Sequence, residues 1–339
     1  MFKEDLDSIV KRYIDEEYFP SAVVRVFNAD NIYYEEAFGD VNTNTLFDVA
    51  SLTKIVTSTI VLSLIDEGKL ELDSKIGDIL HFLSEYDGFT KRHLNITIKQ
   101  LLIHNAGLVD WHPIYAETGN FFKILNKIVK TYDWVEETEY SDINFMLLGE
   151  IIKYVTNKDL EQCLEEYIKK PLGIENMYFN PVNKTNIAPS SYGNDIEENM
   201  CKERNIVFNK WRSKEKELIG EVNDGNSYYF FNGVSGHAGI FADVDAYARI
   251  ANMYLSTENE LFLESMKNQG GDRGLGWQIS EEMFPGGCGH TGFTGTSIWI
   301  CKEKNIGAVM FTNRLMANGK GQNTNPFRRE MHNYIYKNI

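Results

Sequence analysis

Extended runs lie near both ends of the chain and helical patterns lie between them, and this placement narrows the fold more than any other feature. Ala22 to Phe27 (AVVRVF) is apolar and β-branched, Asn28-Ala29-Asp30-Asn31 supplies turn residues, and Ile32 to Phe38 resumes an extended pattern that Gly39-Asp40 closes. That is the signature of a β-hairpin. Late in the chain, Gly276 to Ser280, Thr296 to Cys301 and Ile306 to Thr312 read as strands, and Asn325 to Tyr336 as a final helix. The middle is helical: Ile76 to Leu83, Ile96 to Ile103, Phe121 to Val129, Asn144 to Val155, and Leu160 to Ile168 stopping at Pro171. Pro181 to Ser227 has no clear period and reads as long loops, after which Asp243 to Leu255 is helical. The expected class is α/β (α+β): an antiparallel sheet from both chain ends, flanked by helices, with a mostly helical region inserted. In residue terms, 1–75 and 243–339 form the sheet domain and 76–242 the insertion.

A chain of 339 residues with 43% hydrophobic content can bury a sizeable core in one or two domains. Thirty-four basic residues against 49 acidic ones leave a formal charge of −15, which argues against nucleic acid and anionic membrane surfaces as partners. The plain reading of that charge is solubility. Leu6, Ile9, Val10, Tyr13 and Ile14 recur at helical spacing, so the N-terminal segment reads as an amphipathic surface helix rather than a signal peptide. With no long uncharged apolar run there is no expected membrane span, and the expected location is the cytoplasm. Cys163, Cys201, Cys288 and Cys301 form no CxxC pair and read as reduced packing residues. No metal or other cofactor is implied, and oligomeric state cannot be read from the sequence.

Three short motifs carry chemistry. Ser51-Leu52-Thr53-Lys54 opens a long helix running to Glu67. Residues i and i+3 share a helix face, with β-carbons roughly 5–6 Å apart. The lysine can therefore reach the serine hydroxyl, and a buried lysine with a lowered pKa can take its proton. The bland alternative is an N-cap serine followed by a solvated lysine. Tyr140-Ser141-Asp142 precedes a strong helix; a tyrosine facing the Ser–Lys pair can relay a proton to a leaving group, while Ser141 or Asp142 caps the helix. His290-Thr291-Gly292 lies in a glycine-rich run leading into an apolar strand, where a backbone edge can pair with an amide ligand or offer N–H groups to an oxyanion. The alternative there is a simple turn before a core strand.

Taken in order, the trio resembles the signature of the serine β-lactamase and DD-peptidase (penicillin-binding protein) superfamily: Ser-x-x-Lys, Tyr-x-Asn, Lys-Thr-Gly. The class C β-lactamase-like branch is the most similar, and LLIHNAGL (Leu101 to Leu108) and GVSGHAGIFA (Gly233 to Ala242) resemble further stretches of it. The likeness runs from about residue 20 to 335. It implies an active site between the two regions, with Ser51 as nucleophile, Lys54 as base, Tyr140 as proton shuttle, and His290, Thr291 and Gly292 as the strand triad. It also implies an oxyanion hole made by the backbone N–H groups of Ser51 and Phe293. The implied activity is acylation of Ser51 by a small ester or amide, then hydrolysis, with a small molecule or short peptide as partner: a carboxylesterase, a D-amino-acid peptidase or DD-carboxypeptidase, or a weak β-lactamase.

Two positions depart from the family's commonest pattern. Asp142 stands where asparagine is usual, and it can hold Lys54 as an ion pair, weakening it as a base, or favour a substrate bearing an amine. His290 stands where lysine is usual and is cationic only when protonated. These departures motivate a competing expectation, a slowly acylating or non-catalytic binding or sensor protein. His104 and His237 read as structural. His112, beside Trp111, is either a site-entrance or a surface-loop residue, and Tyr228-Tyr229-Phe230-Phe231 reads as core rather than pocket wall.

Overall fold

The computed structural model describes residues 2–317 and 321–339. Its principal strands are β1 (Ala22–Phe27), β2 (Ile32–Phe38), β3 (Phe47–Asp48), β4 (Met177–Phe179), β5 (Ile240–Ala242), β6 (Cys288–Thr291), β7 (Ser297–Cys301) and β8 (Ile306–Thr312). The helices needed below are α1 (Phe2–Asp15), α2 (Thr53–Asp66), α3 (Asp142–Thr156), α4 (Asp195–Glu203), α5 (Val244–Ser256) and α6 (Asn325–Asn338).

The expected antiparallel sheet from both chain ends is present, in the order β2-β1-β8-β7-β6. Its central strands are apolar almost throughout, because helices cover both faces. The two-residue alternation still sorts side chains between layers. Val24 and Val26 of β1 join Ala308 and Met310 of β8 under α1 and α6, against Leu6, Val10, Phe327 and Met331. Val23, Phe27, Val309 and Phe311 face the other way, onto the core that contains α2 and α5. Arg25 breaks the apolar run on that second face, and its guanidinium is answered by Glu35 and Asp245.

Helix α2 is buried nearly all round, from Thr53 to Leu62, which makes it the central rod of the molecule and fixes whatever stands at its start. Helix α3 packs against it. On another side α3 meets the 233–239 segment glycine to glycine, at Gly149 and Gly236: a Cβ on Gly236 would lie 2.2 Å from the Phe145 carbonyl oxygen. A second, three-stranded sheet in the order β3-β5-β4 was not evident from the sequence, since its strands are only two or three residues long.

Some expected boundaries move. Gly276 to Ser280 is not a strand; it touches the sheet through a single bridge, Gln278 to Gly289. The helix beginning at Leu160 does not stop at Pro171. A π turn over Glu165–Lys169 leads into a last turn containing Pro171 near its start, and left-handed Gly173 ends it. The presumed loops of 181–227 contain α4. Ser141 occupies the N-cap position of α3 but makes no capping bond; its hydroxyl donates instead to the Val109 carbonyl.

Candidate active site

Ser51 stands in a short 3₁₀ turn (Ala50–Leu52) that feeds α2, so it is not the helix N-cap. The turn is sharp: Ala50 adopts φ +48, a left-handed conformation unusual for a residue with a side chain. Asp48 holds it there, since its buried carboxylate accepts from the N–H groups of Ala50 (2.9 Å) and Asn223 (2.6 Å). Burial raises the Asp48 pKa to about 6 against those bonds.

One helical turn on, Lys54 is completely buried. Its Nζ lies 3.1 Å from Ser51 Oγ, 3.2 Å from the His237 carbonyl oxygen and 2.7 Å from Asp142 Oδ1. Burial alone would lower the lysine pKa, but Asp142 and Tyr140 outweigh it and the net shift is upward. The amine is thus held as an ammonium at neutral pH, the outcome anticipated for an aspartate at that position. The Tyr140 ring lies 4.9 Å from Lys54 Nζ, and burial raises the phenol's pKa despite the lysine charge, so it keeps its proton.

His104 sets the position of Tyr140. Its own backbone is left-handed (φ +58), its Nδ1 accepts from the Ser141 N–H at 3.0 Å, and its ring lies 4.5 Å from the Tyr140 ring. Burial drives its pKa well down, which keeps Nδ1 an acceptor.

Edge strand β6 forms the opposite wall. Gly289 is paired outward with Gln278 (2.8 and 3.0 Å), so by the alternation of a strand Thr291 also faces outward, next to the cavity. His290 is buried; its pKa falls to about 3, first through burial and then through Lys54 and Arg273. Its Nδ1 donates to the Thr291 carbonyl (2.9 Å), so His290 supplies no positive charge. The Gly292–Thr296 turn follows. A Cβ on Gly292 would sit 2.0 Å from Thr296 Oγ1, so the turn requires glycine there. Thr294 and Thr296 donate to the carbonyls of Asp48 (2.6 Å) and Val49 (2.9 Å), tying this turn to the segment that carries Ser51. Among the described residues, neither the Ser51 N–H nor the Phe293 N–H has a hydrogen-bond acceptor.

These groups share a cavity of about 390 Å³ lined by Ser51, Tyr140, Asp142, His290, Thr291 and Phe293. Thus seven of the eight sequence-selected positions lie at or directly beneath one cavity, Lys54 as its buried floor; Gly292 is set back in the turn. The same cavity is lined by Trp111, Glu197, Asp224 and Arg273, which no motif announced, and by His237, which the sequence reading had assigned a structural part. Asp224 Oδ1 accepts from His237 Nε2 (2.9 Å) and the Ser227 N–H (2.7 Å). Burial pushes the Asp224 pKa up, but the histidine contact prevails and the net direction is down. Glu197, buried beside Asp224, is raised to about 8 and carries a proton at neutral pH. Arg273 lies 5.3 Å from the Tyr140 ring centroid. His112, by contrast, pairs with Tyr132 and Glu117 and does not line the cavity. Tyr229 belongs to a separate cluster with Tyr115, Phe208 and Trp211. Asp142, Asp224 and His237 bring ligand-type atoms within 4.8 Å of one another, and the Lys54 ammonium already meets Asp142 there.

An antiparallel α/β fold with a Ser–Lys–Tyr cluster at the start of a buried helix defines a serine-hydrolase type of protein. Residues 6–332 match the family described as Beta-lactamase, and the chain belongs to that family. It is 27% identical over 344 aligned residues to the N-acetylmuramyl-L-alanine amidase of Bacillus subtilis (strain 168), covering 87% of this chain and 77% of that protein. Among solved structures, the octameric penicillin-binding protein homologue from Pyrococcus abyssi superposes with a TM-score of 0.73 at 18% identity, covering 98% of this chain and 77% of that one. A class C β-lactamase from Rhodobacter sphaeroides gives the same TM-score at 15% identity, with 98% of each chain covered. No helix among the described residues is long and apolar enough to cross a membrane.

Proposed function

We propose that this protein is a hydrolase that acylates Ser51 with a small ester or amide carrying a carboxylate, then releases the acyl group to water. The observation that carries this reading is the shared amine. Lys54 Nζ touches the Ser51 hydroxyl and Asp142 at once, beneath an open cavity. As Ser51 Oγ bonds to the acyl carbon, its proton passes to Nζ while an Nζ proton shifts to Asp142, so the buried pair accepts as a unit. Tyr140 then gives its proton to the departing amine or alkoxide and regains one from Lys54. Water reverses the sequence and frees Ser51. The N–H groups of Ser51 and Phe293, both without acceptors among the described residues, receive the developing oxyanion.

Arg273 takes the part that lysine plays in the usual Lys-Thr-Gly. His290 is neutral, whereas the Arg273 guanidinium stays cationic even though burial lowers its pKa. A substrate carboxylate therefore docks at Arg273, which suits a peptide with a free C-terminus, including one ending in a D-amino acid. The amidase activity in the name of the B. subtilis relative fits the same amide chemistry.

A fluorophosphonate probe should add one adduct per chain, mapped to the Ser51 peptide and lost in Ser51→Ala. Labelling that survives this substitution sinks the reading. The Lys54–Asp142 ion pair also favours a second reading, a sensor that acylates but barely turns over. Steady hydrolysis of p-nitrophenyl acetate well above the Ser51→Ala background removes that alternative.

A further inference from the structure

Arg328 is the least expected charge in the molecule. It lies on α6, outside every motif, and is 5% exposed. Among the described residues it meets no carboxylate. Its Nη1 donates to Asn325 Oδ1 at 2.8 Å, its Nη2 donates to the carbonyls of Gly292 and Thr296, both at 2.8 Å, and its Nε has no partner. Burial lowers its pKa to about 9, so it is still a cation at neutral pH. A buried, unpaired cation is costly to a fold, which raises the question of what it does.

The two carbonyls it grips are the ends of the turn that contains Phe293. Across a trans peptide the C=O and N–H point in opposite directions, and there is no cis bond among the described residues. With the Gly292 carbonyl drawn toward Arg328, the N–H of the same peptide, which belongs to Phe293, is turned away from α6. A second pocket on the α6 side is lined by Gly292, Arg314 and Arg328, none of which lines the cavity holding Ser51, while Thr291 and Phe293 border both. The turn therefore separates an arginine side from a serine side. Arg314 adds a second grip, its Nε donating to the Phe293 carbonyl at 2.5 Å. A cation on the carbonyl also polarises the amide and strengthens its N–H as a donor.

We propose that Arg328 is a positioning residue that holds the Gly292–Phe293 peptide so that the Phe293 N–H points at the oxyanion formed on the Ser51 adduct. This rests on the acyl-enzyme reading above and adds a residue that never touches substrate.

The test compares p-nitrophenyl acetate with its thiono analogue, because sulfur accepts hydrogen bonds poorly and a thiono ester gains little from an oxyanion hole. Deleting one such donor in an acyl-transfer enzyme costs about 10²–10³ in rate. Misaiming one in Arg328→Gln is expected to lower kcat/KM for the oxo ester about 10- to 100-fold and that for the thiono ester less than about threefold. The oxo-to-thiono ratio then falls at least about threefold. Arg328→Lys, which keeps the charge but offers no fork, should fall between wild type and Arg328→Gln. If Arg328→Gln does not fold, Asn325→Ala removes only the Nη1 support from a half-buried site and should lower the same ratio by a smaller factor. A parallel loss on both esters, or an unchanged ratio in folded variants, overturns the inference. Labelling of wild-type Ser51 is scored separately. If it succeeds while the ratio stays fixed, only the role of Arg328 fails; if it fails, the acyl-enzyme reading fails and this inference with it.

Discussion

Lys54 Nζ lies 2.7 Å from Asp142 Oδ1 and 3.1 Å from Ser51 Oγ, so one buried amine is shared between a carboxylate and the hydroxyl it is to activate. Replacing the carboxylate by a neutral amide removes the charge that does most to oppose burial. In Asp142→Asn the Lys54 pKa should therefore fall. The measurement is the pH titration of the Lys54 ¹³Cε resonance. Fluorophosphonate labelling at pH 7 should stay within about tenfold of wild type, whereas Lys54→Met, which removes the acceptor, should lose more than about a hundredfold. An unmoved Lys54 titration in Asp142→Asn refutes the ion-pair account.

Arg273 is the cavity's cation now that His290 is neutral. Arg273→Gln should raise KM about 10- to 100-fold for an ester with a carboxylate near the scissile bond, the worth of one charge-assisted hydrogen bond. The neutral p-nitrophenyl acetate should change by less than about twofold. Equal effects on both esters would assign Arg273 a structural role and leave the carboxylate without a partner.

Three buried histidines, His104, His290 and His332, make stability depend on acid. His290 and His332 have pKa values of about 3 in the fold, both chiefly through burial. The unfolded chain takes up their protons near the ordinary 6.5 or so. The stability they contribute is present above about pH 6.5 and is lost progressively as pH falls toward 3, by roughly 1.4 kcal/mol per pH unit for each histidine. Asp48, raised to about 6, and Glu197, raised to about 8, run the other way: their contributions are lost as pH climbs through 6 and through 8. Urea midpoints taken from pH 7 down to 4 should therefore decline, and His290→Gln should flatten the decline by about one proton's worth. Identical slopes for variant and wild type would show that His290 is not held neutral.

Gly236 marks where the chain passes too close to α3 for any side chain, 3.0 Å from the Gly149 Cα as measured from a built Cβ. Its carbonyl accepts from Thr57 Oγ1 (2.7 Å), and the next residue's carbonyl accepts from Lys54. Gly236→Ala should cost about 1–3 kcal/mol of stability in chemical denaturation, the usual range for overpacking a full core. It should also slow labelling of Ser51, because the segment whose His237 carbonyl anchors Lys54 must move. Wild-type stability with slow labelling, or the converse, would uncouple the two effects.

Much of this protein is written in short-range sequence. β-Branched runs, a turn of Asn-Ala-Asp-Asn and a 3.6-residue apolar period suffice to specify the hairpin and the helices, since each depends on neighbours a few residues away. Ser51 and Lys54 are legible for the same reason: one helical turn fixes their separation wherever the helix goes. Pro171 misled because proline is tolerated near the start of a helical turn, a fact of local geometry that spacing alone does not convey.

What the sequence left open depends on contacts between distant segments. Whether Asp142 pairs with Lys54 is settled by the packing of α3 on α2, and whether His290 is charged by how completely the sheet buries it. Asp224, Arg273 and Arg328 belong to no motif, and they acquire meaning only when chain segments about 170 to 280 residues from Ser51 close around the cavity or brace the turn beside it. Periodicity encodes which way a side chain faces on its own element. Electrostatics and hydrogen bonding depend on what faces it from elsewhere, and only the tertiary fold supplies that.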